Sequence, residues 1–160
     1  FLPNGCDEVE FLVSANKGEP LMPLSKIASG GEISRIMLAL KCAMADKEKT
    51  PTLIFDEIDT GISGKTSYKI GIKMRQSSQS SQIICITHSP QIAAIAAEHL
   101  LVSKKEVDGR TFSSARQLMH DGRVSEIARI IGGEKITEKT LTAAREMLDA
   151  AQGLGNNTVV

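Results

Sequence analysis

The chain has 160 residues, 41% of them hydrophobic, and 19 Lys and Arg balance 19 Asp and Glu to a formal charge of zero. At this length folding buries roughly two thirds of the unfolded surface, so one domain can rest on its own core without disulfides or metal. The zero charge argues against a domain devoted to neutralising duplex phosphates, and 4 Phe, 1 Tyr and no Trp argue against a base-stacking platform for single strands.

Taken in chain order, Val9, Phe11 and Val13 alternate with Glu10 and Leu12, which predicts a partly exposed strand, and Asn16 to Pro23 reads as a loop. Beyond Ser29-Gly30-Gly31, the residues Ile33, Ile36, Met37, Leu40 and Met44 recur at helical spacing and predict a helix ending near Asp46. Thr52-Leu53-Ile54-Phe55 and Ile83-Ile84-Cys85-Ile86 are short continuous apolar runs, the pattern of strands buried on both faces of a parallel sheet. Between them lie a helical stretch from Gly64 to about Arg75 and a polar loop from Ser77 to Ser81. Ser89 as N-cap and Pro90 at the first helical position open a short helix to Ala97. Leu100 to Val102 is a third strand, Asp108-Gly109 marks a hairpin turn, and Thr111 to Leu118 returns as the partner strand. Val124 to Ile131 is helical and closes at Gly132-Gly133, and Glu138 to Ala151 forms the last helix. No apolar stretch is long enough for a membrane span, and no signal peptide is visible. The alternation of strands and helices predicts an α/β fold with a mostly parallel sheet covered by helices. Residues 1–152 form the folded unit in this reading, and 153–160 a tail with no reason to fold.

Cys6, Cys42 and Cys85 are odd in number, widely spaced and set near apolar sequence, so they read as free buried thiols in a reducing compartment. With no CxxC and no HxxxH among His88, His99 and His120, a zinc site is not expected.

The chemistry gathers at the ends of the two apolar strands. Phe55 is followed by Asp56-Glu57 and Ile86 by Thr87-His88, with room between for one strand-helix-strand unit whose strands must run parallel. Both carboxylates and the imidazole should therefore leave the sheet at its ligand-binding edge. A bland reading, two loop carboxylates and a His opening a capped helix, accounts for each residue alone but not for their convergence. In Ser29-Gly30-Gly31-Glu32 a capping box explains the Ser and the Glu. It leaves the two glycines unexplained, whereas close approach of a phosphate to a helix N-terminus would use them. Asp59 to Thr66 ends in Gly-Lys-Thr like a phosphate-binding loop, but Asp59 stands where the first glycine is required. No complete phosphate cradle is present.

Together these segments resemble the ABC-type ATPases in motif and in order. Ala28-Ser29-Gly30-Gly31-Glu32 resembles their signature motif, Thr52 to Glu57 their Walker B strand with its catalytic Glu, Ile58 to Gly61 their D-loop, and Ile86 to Ser89 their switch-histidine loop. Within that group Ala28 to Lys41, Phe55 to Gly64 and Ile86 to Ala93 are most similar to the RecN family, bacterial SMC-like DNA repair proteins, and the likeness runs from about Val9 to Ala151.

The resemblance implies a P-loop NTPase-like head using ATP and Mg²⁺. Asp56 would hold the metal through water, Glu57 would polarise the attacking water, and His88 would sense the γ-phosphate. Ser29, Gly30, Gly31 and Glu32 would meet nucleotide bound by the opposite head, and Asp59 would couple the two sites across a homodimer. The family's Walker A and Q-loop are missing, and in SMC-like proteins they lie beyond a long coiled coil. The chain, which begins at Phe1, thus resembles the carboxyl-terminal lobe of a head, inactive alone and completed by an amino-terminal lobe. The implied setting is cytoplasmic and nucleoid-associated, with DNA bound by the full-length protein and no membrane contact. A non-hydrolysing assembly module is the rival, against which intact Asp56, Glu57 and His88 count. A Ser-His-Asp hydrolase fails because no GxSxG elbow is present. Lys104, Lys105 and Arg110 read as solvated charges around the hairpin.

Overall fold

The computed structural model describes residues 3, 5–14, 17–26, 29–44, 50–133 and 135–153. Ala28, Asp46 and the expected tail beyond Gly153 lie outside them. The elements in order are β1 (Leu12–Val13), β2 (Met22–Pro23), a 3₁₀ turn (Leu24–Lys26), α1 (Gly30–Met44), β3 (Thr52–Phe55), α2 (Gly64–Ser77), β4 (Gln82–Cys85), α3 (Pro90–Ile95), β5 (Leu100–Val107), β6 (Arg110–Gln117), α4 (His120–Gly132) and α5 (Glu138–Gly153).

The predicted strand-helix-strand unit is present. β3 and β4 pair in parallel with Thr52 opposite Gln82 and Phe55 opposite Cys85, and α2 is the crossover. Parallel pairing stops there among the described strands. β5 and β6 form the antiparallel hairpin expected around Asp108-Gly109, and both turn residues have positive φ, as a tight two-residue turn requires. The expected strand from Val9 shrinks to Leu12–Val13, which pairs antiparallel with Met22–Pro23 inside the stretch read as a loop.

One expectation about the sheet needs correction. β3 and β4 are covered on one face only: Phe55, Leu53, Ile83 and Cys85 pack with Leu38 of α1, Ile70 and Met74 of α2 and Ile92 of α3. On the opposite face Ile54 is 66% exposed, its register partner Ile84 41%, and Ile86 just beyond 58%. The apolar run is genuine, but nothing among the described residues covers its second side. The thiols divide similarly, since Cys42 and Cys85 are half-buried whereas Cys6 is exposed.

A second cluster joins Ala93 and Ala94 of α3 to Val124, Ile127 and Ala128 of α4 and to Ala144 and Leu148 of α5. Short α3 is therefore shared, with Ile92 in one cluster and the two alanines in the other. Its unsatisfied carboxyl-terminal carbonyls are met by two arginines. Arg123 donates to Ala96 O at 2.6 Å, Ala94 O at 3.2 Å and Ala97 O at 3.2 Å, and Arg75 donates to Ile95 O at 3.4 Å and also to Ala151 O of α5 at 2.8 Å. Arg123 also lies by His99, whose pKa burial and that positive charge lower. α4 starts earlier than its apolar pattern, at His120, and ends at Gly133, whose φ of 68° favours glycine.

Ile127 is fully buried in this second cluster. Ile127→Ala should cost about 2–5 kcal/mol in urea unfolding, and Arg145→Ala on the exposed side of α5 less than about 0.5 kcal/mol.

Candidate active site at the carboxyl edge of the parallel strands

Because β3 and β4 run parallel, the loops that follow them leave the same edge. Ile86 N donates to Phe55 O at 2.9 Å and carries the pairing one residue past β4. Asp56 and Glu57 emerge exposed from β3, and the His88 side chain, 80% exposed, from the loop after β4. Glu57 has φ 56°, a left-handed conformation uncommon for a residue with a side chain. The turn is closed by Thr60 N donating to Glu57 O at 3.1 Å.

The N-terminus of α1 packs against this loop from the same chain. Ser29 caps the helix: its carbonyl accepts from Ile33 N at 3.1 Å, and its Oγ weakly from Glu32 N at 3.4 Å. From the next turn Ser34 Oγ donates to Asp56 O at 2.9 Å, and Arg35 Nη1 to Ile58 O at 3.2 Å and Thr60 O at 3.1 Å. Gly31 is buried in this contact, where a Cβ would lie 2.9 Å from Glu57 O and 3.2 Å from Thr60 O. The second glycine thus has a reason inside the chain, close approach of two backbones. At Gly30 a Cβ would meet only the movable carboxylate of Glu57, at 3.2 Å.

Asp59 occupies the centre, 5% exposed. Its Oδ2 accepts from Thr87 Oγ1 at 2.5 Å, His88 N at 3.0 Å and Ser89 N at 2.9 Å, and lies 3.5 Å from His88 Nδ1. One buried carboxylate oxygen therefore fastens the loop after β3 to the loop after β4. Ser89 precedes Pro90 as expected, but its Oγ donates to Gln91 Oε1 at 2.9 Å instead of capping α3. The Gly-Lys-Thr run is an ordinary helix start: Ser63 Oγ accepts from Thr66 N at 3.4 Å at the head of α2.

Below the edge, burial first and then the charges of Asp59 and Asp56 push the Cys85 thiol up to about 12. Mg²⁺ usually takes one or two carboxylates, keeps several waters and is completed by substrate phosphates. Exposed Asp56 can supply one such ligand, and no group of three His, Cys, Asp or Glu fit for a metal occurs among the described residues. The donor set therefore suits a metal that arrives with phosphate. Ser34, Arg35 and Arg123 had escaped the sequence reading because their partners are backbone carbonyls, which leave no trace in a motif.

Gly31→Ala should destabilise the protein by about 1–3 kcal/mol through overpacking against backbone, with Gly30→Ala much milder, as read by thermal unfolding. Because the fold favours the protonated thiol of Cys85, its contribution to stability is intact below about pH 9 and lost as pH rises from 9 towards 12. At pH 8.5 iodoacetamide should label exposed Cys6 and spare Cys85, as mass spectrometry of the native protein would show.

No family model matches the chain. It is 50% identical over 157 residues to the DNA repair protein RecN of Halalkalibacterium halodurans, covering 98% of the chain and 28% of that protein. It is 47% identical over 149 residues to RecN of Vibrio cholerae, covering 93% and 27%, and 46% identical over 147 residues to RecN of Bacillus subtilis, covering 92% and 26%. A solved structure from work on ATP-driven dimerisation and DNA-stimulated activation of SMC ATPases superposes with a TM-score of 0.53 at 22% identity, over 84% of this chain and 81% of that one. The fold is thus the α/β fold of an SMC-type ATPase head. The chain spans little more than a quarter of the length of these curated relatives, and over that span it belongs to the RecN family.

Proposed function

We propose that residues 1–152 are the carboxyl-terminal lobe of an ABC-type ATPase head in a RecN-like protein of DNA double-strand break repair and recombination, driven by ATP-dependent head dimerisation. The observation that carries the reading is the meeting of Asp56, Glu57, His88 and the N-terminus of α1 at one edge of the parallel strands. Phosphoryl transfer asks a protein mainly for positioning, charge and an oriented water, and these groups are of the right kinds. Asp56 would hold Mg²⁺, which when bound supplies charge to the phosphate oxygens. Glu57, on its strained turn, would orient the attacking water and take up its proton. His88 would donate to the terminal phosphate from the neighbouring loop. Ser29, Gly30 and Gly31, with Glu32 in the first turn, would offer the amide-rich end of α1 to nucleotide on the opposite head.

The bare face formed by Ile54, Ile84 and Ile86 supports an amino-terminal lobe as the missing half of the head. Apolar residues contiguous across two paired strands favour a covering partner, and the relatives carry nearly three quarters of their length outside the matched region. DNA contact would fall to the full-length protein or its dimer, in a cytoplasmic, nucleoid-associated setting. No helix among the described residues is long and apolar enough to cross a membrane.

In the full-length protein, Glu57→Gln should lower ATP turnover by about 10²–10⁴-fold while nucleotide still binds. Normal turnover would remove Glu57 from the base role, and a wild type that binds ATP without hydrolysing it would favour the assembly module. Ser29→Arg should weaken ATP-driven dimerisation, followed by light scattering, and leave binding to a single head intact; equal loss of both would contradict a role across the dimer.

A further inference from the structure

We infer that the outer face of α2 is a contact surface for the phosphate backbone of duplex DNA, with Lys65, Lys69 and Lys73 as its cations. The inference rests on the DNA-repair reading above and deepens it by naming a surface. The chain is neutral as a whole, yet its charges are unevenly spread: no Asp or Glu occurs from Thr60 to Ala97. α2 lies inside that stretch and carries these three exposed lysines four residues apart. The spacing stacks them on one side of the helix, each about 6 Å further along its axis. Ser67, Ile70, Gly71 and Met74 are buried on the opposite side, so the lysine row faces away from the core. Tyr68, 43% exposed, and exposed Gln76 lie beside the row.

Within the chain this arrangement is unfavourable. Lysines four apart repel one another, Lys65 sits in the first turn against the helix dipole, and α2 has no carboxylate to offset either effect. None of the three forms an ion pair among the described residues, whereas Arg75 on the same helix is engaged by Ile95 O and Ala151 O. An anion from outside would relieve both effects at once. A duplex suits the row better than an acidic protein does. Phosphate contacts draw on Lys, Tyr and Gln side chains, the types present here, whereas the cores of protein interfaces are depleted of Lys. Such contacts grip the backbone without reading its sequence.

The test is binding of the full-length protein, with ATP present, to two fluorescein-labelled duplexes of unrelated sequence, followed by anisotropy from about 50 to about 200 mM salt. Each phosphate contact adds about 0.9 to the slope of log affinity against log salt. A variant carrying Lys65→Gln, Lys69→Gln and Lys73→Gln should therefore bind with a slope shallower by about 2–3, equally on both sequences. Its melting temperature should not fall, because the substitutions remove like-charge repulsion from an exposed face. A control carrying Lys135→Gln, Lys139→Gln and Arg145→Gln makes the same change of charge on exposed residues in and before α5, and should move the slope by less than about 1. A wild-type slope in the α2 variant, the result if the lysines meet an acidic protein instead, or an equal loss in the control, would overturn the inference and leave the DNA-repair reading standing. A wild type that binds neither duplex would remove both.

Discussion

A single buried carboxylate organises the candidate site. A buried carboxylate is costly unless hydrogen bonds meet it, and among the described residues Asp59 finds its donors on the loop after β4, all at Oδ2, while Oδ1 has none. Folding Asp59 inward therefore fixes that loop relative to the turn that bears Asp56 and Glu57. The consequence extends into the core, because the loop leads within a residue of Ser89 into α3, whose Ile92, Ala93, Ala94 and Ile95 are all buried. Without Asp59, the loop that bears His88 would lose the three bonds that fasten it beside the acidic turn.

The other half of the site is fixed from α1. Arg35 and Ser34 read the carbonyls of the carboxylate turn, and Gly31 lets the two backbones meet. The strained φ of Glu57 is held by these surroundings, since a left-handed residue with a side chain persists only where its neighbours enforce it. The acidic turn is thus gripped by donors on one side and by the Asp59 contacts on the other. Its carboxylates remain outside, where a metal-bound phosphate could reach them. The sheet beneath is half-covered, solid on the α1–α2–α3 side and bare at Ile54 and Ile84.

Much of this was legible in the sequence. The apolar runs Thr52 to Phe55 and Ile83 to Ile86 gave the strands, their separation gave the parallel crossover, and Asp108-Gly109 gave the hairpin. Asp56, Glu57 and His88 followed from those strands. Burial on both faces was misjudged because an apolar strand records the need for cover and not which part of the protein supplies it. Exposed Cys6 escaped for a related reason, as local hydrophobicity does not report a segment with little to pack against. Asp59 was read by analogy as a link between protomers, and its bonds to the Thr87 loop could not be foreseen, because two of its donors are backbone amides that any sequence provides. The packing of Gly31 against Glu57 and Thr60 is a separate role, visible only in three dimensions.

The most direct measurement is amide hydrogen exchange at His88 and Ser89 in the full-length protein without nucleotide. If Asp59 organises the edge, both amides lie in a non-helical loop and yet exchange as slowly as the buried turns of α3, and Asp59→Ala releases them while α5 stays protected. Exchange at His88 and Ser89 at the rate of an open loop in the wild type would contradict the account.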